Sequence, residues 1–266
     1  MDPVIFDGVT KIFRERRGFF PWRRGSEEKT KPALRDVTLS VPAGTVLVLL
    51  GPNGSGKTTL LKLVSTMLLP DFGRVWVQGA DTLRDSNRAR RHMGIAIAAE
   101  RSFFPRLTAR ENLDFFATLD DVPTDSRSRR IEWVLHATGL SETADKQVMT
   151  FSSGMYQRLG TARALLKDPS VLLLDEPTRS LDPGATTHFW GLVRDLAGRG
   201  CTILLATHNF DEALAIGDTV AVLNNGELVD CWDEAQISGR EELRSRYLRS
   251  AGELDVLGDL RARCTS

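Results

Sequence analysis

Three short apolar runs stand out along the chain, at Val46–Leu50, Val171–Leu174 and Thr202–Ala206. Each run is continuous rather than alternating, which is typical of strands that are buried on both faces of a parallel sheet. Each run also ends abruptly in polar or glycine-rich sequence. Because ligands gather at the carboxyl ends of the strands in open α/β sheets, the pattern predicts one site where these three strands end.

The sequence around these runs predicts an α/β fold in three parts. The segment Val4–Val41 mixes alternating apolar positions with turns, which indicates an antiparallel β flank beside a mostly parallel core sheet. Helical spacing and many charges over Thr108–Lys167 predict a helical subdomain, and the chain after about Asp233 becomes charged and helical again. We expect one domain over residues 1–240, with its helical subdomain at about 100–167, and a short helical tail at 241–266.

Composition narrows the classes of protein and of partner. The 35 basic and 35 acidic side chains give a net charge of zero, so the sequence predicts no nucleic-acid partner. The cysteines Cys201, Cys231 and Cys264 lie far apart, which argues against a disulfide framework and against a zinc site. No apolar run approaches the ~20 residues that cross a bilayer, so we expect a chain that is neither secreted nor membrane-spanning.

The first strand leads into a phosphate-binding loop. The pattern G-x-x-x-x-G-K-[ST] is fitted by Gly51, Pro52, Asn53, Gly54, Ser55, Gly56, Lys57 and Thr58, and the predicted nucleotide contacts continue to Thr59. An apolar-periodic helix is expected to follow at Thr59–Leu68. Glycines let successive backbone N–H groups turn toward phosphate oxygens, Lys57 would reach the terminal phosphates, and the Thr58 hydroxyl would bind Mg²⁺. The motif predicts a nucleoside triphosphate site.

The other two strands end in residues that suit hydrolysis. Asp175 and Glu176 follow the second strand, where Asp175 would hold Mg²⁺ and Glu176 would orient and polarise the attacking water. His208 follows the third strand and would hydrogen-bond the γ-phosphate while keeping Glu176 and the water in line. We therefore predict Lys57, Glu176 and His208 as the catalytic residues.

The order of these motifs resembles the ATP-binding cassette (ABC) ATPases from about Val4 to Asp233. Between the phosphate-binding loop and the acidic strand lies FSSGMYQRL at Phe151–Leu159, and Ser180–Asp182 follows that strand before His208. The resemblance implies the ABC ATPase form of the P-loop NTPase fold. It also implies ATP and Mg²⁺ as cofactors, and ATP hydrolysis as the reaction.

The segment FSSGM looks like the family's signature, usually written LSGGQ. Ser152 and Gly154 match, whereas Ser153 replaces a glycine and Met155 replaces a glutamine. The resemblance implies that Ser152, Ser153 and Gly154 contact the ATP held by a second ATPase subunit, most simply a second copy of this chain. The chemistry agrees, because Ser152 can cap a helix over Met155–Lys167 that presents its positive end to phosphate.

Three further positions are assigned by the resemblance. Asp182 lies in the family's D-loop, which joins the two composite sites of the dimer. Phe13, in VTKIF, matches the aromatic residue that stacks on adenine. The family's Q-loop glutamine is missing near Ile95–Leu107, where Glu100 stands beside Ala99. Glu100 is either a substitute ligand near Mg²⁺ or a solvated loop charge, and the sequence leaves both interpretations open.

The resemblance implies an ATPase that docks on separate permease chains at the cytoplasmic face of the inner membrane. SSGM and the segment ERSFFPRLTARENL are similar to exporter ATPases that pair with ABC-2-type permeases for drugs, lipids or lipid-linked polysaccharides. The alternative is a soluble ABC ATPase that remodels a macromolecular complex, such as an iron–sulfur assembly scaffold. A neighbouring gene encoding about six apolar spans would favour the transporter.

One inserted segment, near the start of the chain, has a composition that would suit contact with a membrane surface. Arg14–Lys31 combines five arginines with Phe19, Phe20 and Trp22. A basic and aromatic loop of this kind either rests against lipid headgroups or the permease, or forms a long solvated hairpin.

Overall fold

The computed structural model describes residues 2–14, 30–97, 103–237 and 239–250. The strands are β1 (Val4–Arg14), β2 (Thr30–Val41), β3 (Val46–Leu50), β4 (Phe72–Val77), β5 (Ala80–Asp81), β6 (Met93–Ala96), β7 (Val171–Asp175), β8 (Thr202–Thr207), β9 (Thr219–Asn224) and β10 (Glu227–Asp233). The helices are α1 (Lys57–Val64), α2 (Ser86–Arg91), α3 (Ala109–Leu119), α4 (Thr124–Ala137), α5 (Ser153–Leu165), α6 (Pro183–Gly198), α7 (Phe210–Ile216) and α8 (Arg240–Ser250). Single 3₁₀ turns lie at Ser141–Thr143, Val148–Thr150 and Glu234–Gln236.

The core is a six-stranded sheet in the order β10-β9-β3-β8-β7-β6. All of its neighbouring strands run parallel except β10, which is antiparallel to β9. The three apolar runs of the sequence form β3, β8 and β7, which lie side by side. Every residue of β3 and β8 is buried, since helices or a second sheet cover both faces. The prediction of a mostly parallel core sheet is confirmed.

The predicted antiparallel flank is a second sheet in the order β2-β1-β4-β5. β1 pairs with β2 from Val4 opposite Val41 to Arg14 opposite Thr30, with register shifts in between. Its buried side chains join those of α1 and of one face of the core sheet in a single hydrophobic cluster. The flank therefore holds α1, and with it the end of the phosphate-binding loop, against the core sheet.

α1 is shorter than the sequence predicts. The apolar pattern predicts a helix over Thr59–Leu68, but α1 ends at Val64. The Ser65 hydroxyl donates to the carbonyl oxygen of Lys62, and Thr66 takes a left-handed φ of 62° that a helix cannot continue through. The apolar residues beyond this point belong to the turn that leads to β4.

The helical subdomain consists of α3, α4 and α5, as the spacing predicts. Thr108 and Glu111 form a capping box that fixes the start of α3. α5 runs from Ser153 to Leu165, about two residues earlier at both ends than the predicted Met155–Lys167. It lies so close to β6 that a Cβ added at Gly94 would be 2.2 Å from the carbonyl oxygen of Ala164.

The helix that ends the described chain packs onto the core. Leu243 of α8 is fully buried, and the rings of Tyr247 and Phe210 meet edge to face at 5.2 Å. Residues 251–266 of the predicted tail lie outside the described residues, and the division of the chain into a domain and a tail stays a prediction. In the part of the chain that the structure covers, no helix has both the length and the hydrophobicity that crossing a membrane requires.

Replacing Gly94 by Ala is expected to destabilise the protein by about 1–3 kcal/mol, because the new methyl group meets backbone that must move. The matched control is Gly191→Ala on α6, where an added Cβ meets nothing within 4 Å. That change should leave stability equal or raise it by up to about 1 kcal/mol. Urea unfolding followed by circular dichroism measures both, and equal midpoints would contradict the close packing of α5 on β6.

Candidate nucleotide site

The carboxyl ends of β3, β7 and β8 meet at one cavity of about 640 Å³. Three groups of residues line it. They are Asn53–Thr59 with Ala33; Asp175, Glu176, Pro177, Arg179 and His208 beyond the strand ends; and Ala96 with Tyr156, Gln157 and Thr161 on the side of the helical subdomain. The structure thus brings Lys57, Thr58, Asp175, Glu176 and His208 together, as the sequence predicts. Their individual roles stay predictions.

The loop between β3 and α1 has the tight backbone that a phosphate cradle needs. A Cβ at Gly51 would lie 2.3 Å from the carbonyl oxygen of Leu223, and Gly56 has a φ of 111° that side chains rarely adopt. The Ser55 hydroxyl is buried and has no hydrogen-bond partner among the described residues. A buried hydroxyl without a partner fits a phosphate oxygen, which would accept its hydrogen bond.

Lys57 is held inside this loop. Its Nζ donates to the carbonyl oxygens of Gly51 at 2.7 Å and of Pro52 at 3.1 Å. Burial lowers the pKa of Lys57, and the nearby carboxylates of Glu176 and Asp175 partly oppose that shift. Bound phosphate would supply negative charge beside the ammonium group and so stabilise its charged form.

Thr58 and Asp175 form the side of the cavity that suits a metal. The Thr58 hydroxyl donates to Oδ2 of Asp175 at 2.8 Å, while burial raises the pKa of Asp175. The described residues contain no group of three or more His, Cys, Asp or Glu side chains that could hold a metal alone. One hydroxyl and one carboxylate fit Mg²⁺, which protein sites commonly bind together with substrate phosphates and water.

Glu176 and His208 are paired across the cavity. The Nδ1 atom of His208 lies 2.8 Å from Oε2 of Glu176. The Glu176 side chain is 22% exposed and the His208 side chain 63% exposed, so solvent reaches the pair. A carboxylate held next to a phosphate-binding loop can accept a proton from water, and the histidine fixes its orientation.

The signature segment begins a helix but does not line this cavity. The Ser152 hydroxyl accepts from the backbone N–H of Met155 at 3.3 Å, which confirms it as the N-cap of α5. Ser152 and Ser153 are exposed, whereas Gly154 is buried against Ser180. The contact of Ser152, Ser153 and Gly154 with the ATP of a second subunit stays a prediction.

Asp182 has a structural role that the sequence reasoning missed. Its Oδ1 accepts from the backbone N–H of Ala185 at 2.9 Å and caps α6, which Pro183 begins. Hydrogen bonds from backbone N–H groups at the start of the helix, that of Ala185 first, lower the pKa of Asp182. The pattern Asp-Pro at a helix start was the available signal. Its D-loop role stays a prediction.

The described cavity lining does not include Phe13, the residue predicted to stack on adenine. Phe13 is 44% exposed near the end of β1, with Nζ of Lys11 5.8 Å from its ring centre. Its stacking on adenine stays a prediction. Glu100 and residues 15–29 of the basic and aromatic insertion lie outside the described residues. Conversely, Tyr156 and Gln157 line the cavity, although no motif in the sequence predicts a role for them.

Comparison with known proteins agrees with this geometry. A family model described as ABC transporter matches residues 34–179. The daunorubicin resistance ATP-binding protein DrrA3 of Streptomyces coeruleorubidus is 36% identical over 234 residues, covering 86% of this chain and 74% of that protein. The methionine import ATP-binding protein MetN of Escherichia coli K12 is 36% identical over 267 residues, covering 98% of this chain and 74% of that protein.

Solved structures show the same fold. The dimeric structure of MJ0796, a bacterial ABC transporter cassette, superposes with a TM-score of 0.76 at 26% identity. It covers 87% of this chain and 98% of that one. A second structure of that cassette, in a post-hydrolysis state bound to ADP and Pi, gives a TM-score of 0.75.

Asp175→Asn is expected to weaken the Mg²⁺-dependent part of nucleotide binding, because the amide removes the charge that faces the metal beside Thr58. At a hundredfold excess over its Kd, a bound ligand such as ATP raises the free energy of unfolding by about 2.7 kcal/mol, and this stabilisation is measured as an increase in Tm. We expect the Tm increase from ATP with Mg²⁺ to fall in the variant to the level of ATP with EDTA. Asp195→Asn, on the exposed face of α6, is the control. A full Mg²⁺-dependent increase in Asp175→Asn would contradict the metal assignment.

Proposed function

The chain belongs to the ABC transporter family of ATP-hydrolysing subunits, and from this premise we propose that it powers export through separate membrane permease chains. The observation that carries the ATPase part of the proposal is the assembly of one site from Lys57, Thr58, Asp175, Glu176 and His208. The cargo we propose is a drug, a lipid or a lipid-linked polysaccharide.

Hydrolysis follows from the geometry of the site. Lys57, Ser55 and the loop N–H groups would hold the phosphates of ATP. Thr58 and Asp175 would hold Mg²⁺, which neutralises the charge that develops on the phosphates. Glu176 accepts a proton from water while the water oxygen bonds to the γ-phosphorus, and the bond from that phosphorus to ADP breaks. His208 keeps the Glu176 carboxylate in line through their 2.8 Å contact.

We propose that two copies of the chain close around two ATP molecules. The argument rests on the start of α5, where Ser152 and Ser153 are exposed and lie outside the chain's own cavity. A helix N-terminus attracts anions, so this end suits the phosphates of a partner's ATP. The similar cassette MJ0796 forms a dimer. Hydrolysis would then restore charge repulsion between the copies and open the dimer.

Relatives bear on the direction of transport in opposite ways. DrrA3 is named for resistance to daunorubicin, which supports export of a drug. MetN is named for methionine import and matches at the same identity, so the general match does not distinguish the two directions. Our proposal of export rests on the local segments SSGM and ERSFFPRLTARENL, which resemble ATPases of ABC-2-type exporters.

An exposed aromatic patch on the helical subdomain supports docking on a permease. We define it as Phe104, Phe115 and Met149, which are 45%, 43% and 62% exposed. The rings of Phe104 and Phe115 meet edge to face at 4.8 Å, and both contact the ring of the buried Phe116. Large apolar side chains grouped at the surface are typical of protein interfaces. We propose that the patch places the chain at the cytoplasmic face of the inner membrane.

Glu176→Gln is expected to lower the ATPase kcat by roughly 10²–10⁴-fold, because the amide cannot accept the proton from water. ATP binding should persist, so a stable ATP-bound dimer should appear in size-exclusion chromatography with Mg²⁺. Glu142→Gln, an exposed position in a 3₁₀ turn, is the matched control. Hydrolysis by Glu176→Gln at the wild-type rate would show that Glu176 is not the base.

Replacing Phe104 and Phe115 together by Ser should release the chain from the membrane fraction of its own cells. The purified variant should keep its ATPase activity, because neither ring lines the nucleotide cavity. Phe72→Ser, at a 64% exposed position on β4, is the control for surface hydrophobicity. Sedimentation of washed membranes with immunoblotting measures the effect. Equal membrane retention of the double variant and wild type would overturn the docking proposal and favour a soluble remodelling ATPase.

A further inference from the structure

A side chain of α5, the helix that the signature segment begins, reaches the main chain of Glu176, the proposed base. Gln157 lies in the second turn of α5, and its Nε2 donates to the carbonyl oxygen of Glu176 at 2.8 Å. Gln157 is partly buried and lines the nucleotide cavity. The proposed mechanism leaves this contact without a role.

The backbone of Glu176 needs such support. Its φ of 49° lies in the left-handed region, which residues other than glycine adopt rarely. The N–H of Glu176 donates to the carbonyl oxygen of Ala206 at 2.8 Å, which ties one side of the residue to β8. Its own carbonyl accepts from Gln157 and, at 3.3 Å, from the N–H of Arg179. An uncommon conformation persists where several contacts fix it together.

A second contact joins α5 to the same stretch of chain. A Cβ added at Gly154 would lie 2.6 Å from the carbonyl oxygen of Ser180, so the first turn of α5 rests directly on the backbone there. Gly154 and Gln157 are three residues apart and lie on one face of the helix. The first two turns of α5 therefore contact the chain from Glu176 to Ser180 at two points, and Ser152 caps that same end.

We propose that Gln157 is a positioning residue, which sets the Glu176 carboxylate toward His208 and couples the start of α5 to the base. The proposal rests on the proposed role of Glu176 in proton transfer. A nucleotide that lies in the cavity of a second copy and contacts Ser152 of this copy would shift α5 of this copy. The hydrogen bond from Gln157 would carry that shift to the backbone of Glu176.

The first experiment removes the hydrogen-bond donor of Gln157 and keeps the volume of its side chain nearly unchanged. Gln157→Met is introduced in the full chain, and ATPase kcat and KM are measured with Mg²⁺. We expect kcat to fall about 3- to 10-fold, the range for losing one neutral hydrogen bond that matters only to the base. KM for ATP should change less than twofold. Gln147→Met, an exposed glutamine on the same subdomain, should leave both constants unchanged.

The second experiment separates positioning from packing. In a Glu176→Gln background, single-turnover hydrolysis should not fall further when Gln157→Met is added, because the group that Gln157 positions has already been removed. Gln157→Lys, which keeps an N–H donor at similar reach, should recover most of the lost kcat. Should Gln157→Met fail to fold, Gln157→Glu takes its place, since an ionised carboxylate of the same size also lacks a donor.

Three results would overturn the proposal. They are an unchanged kcat in the donor-lacking variant, an equal further loss in the Glu176→Gln background, and no recovery by Gln157→Lys. Failure of the base assignment looks different. In that case Glu176→Gln alone hydrolyses ATP at the wild-type rate, whereas full activity of Gln157→Met beside an inactive Glu176→Gln counts only against the role of Gln157.

Discussion

The whole site depends on the parallel pairing of β3, β8 and β7. Parallel strands point their carboxyl ends the same way, so three segments far apart in the chain emerge at one edge of the sheet. The phosphate-binding loop follows β3, Asp175 ends β7 and His208 follows β8. The close-packed hydrophobic clusters on both faces keep the strands in register, and they thereby set the distances among the polar groups at the strand ends.

The charges at that edge are arranged for a bound nucleotide rather than for each other. Burial lowers the pKa of Lys57 and raises that of Asp175, so each charge is disfavoured by its surroundings. The Ser55 hydroxyl is buried without a partner among the described residues. Phosphate and a divalent cation would satisfy all three groups at once, because they supply the missing acceptor and both opposite charges. Binding and the stability of the site are therefore linked.

Much of the fold and of the site could be predicted from local sequence. Continuous apolar runs gave the central strands, and G-x-x-x-x-G-K-[ST] gave the phosphate loop, since both patterns depend on neighbours along the chain. The end of α1 at Val64 could not be predicted from periodicity, because the apolar spacing continues through the turn at Thr66. The capping role of Asp182 had a local signal in the proline that follows it, whereas the buried position of Gly154 against Ser180 had none.

The sequence by itself determined the class of fold, the ATPase family and the polar residues that line one cavity, whose roles toward phosphate and metal stay predictions. These depend on side-chain chemistry and on spacing within single elements. Only the tertiary structure decided that Gln157 meets the carbonyl oxygen of Glu176, and that the described cavity lining includes Ala33 rather than Phe13. Such contacts join distant parts of the chain at ångström precision. The packing of whole helices and sheets sets these contacts, and no local pattern of residues encodes that packing.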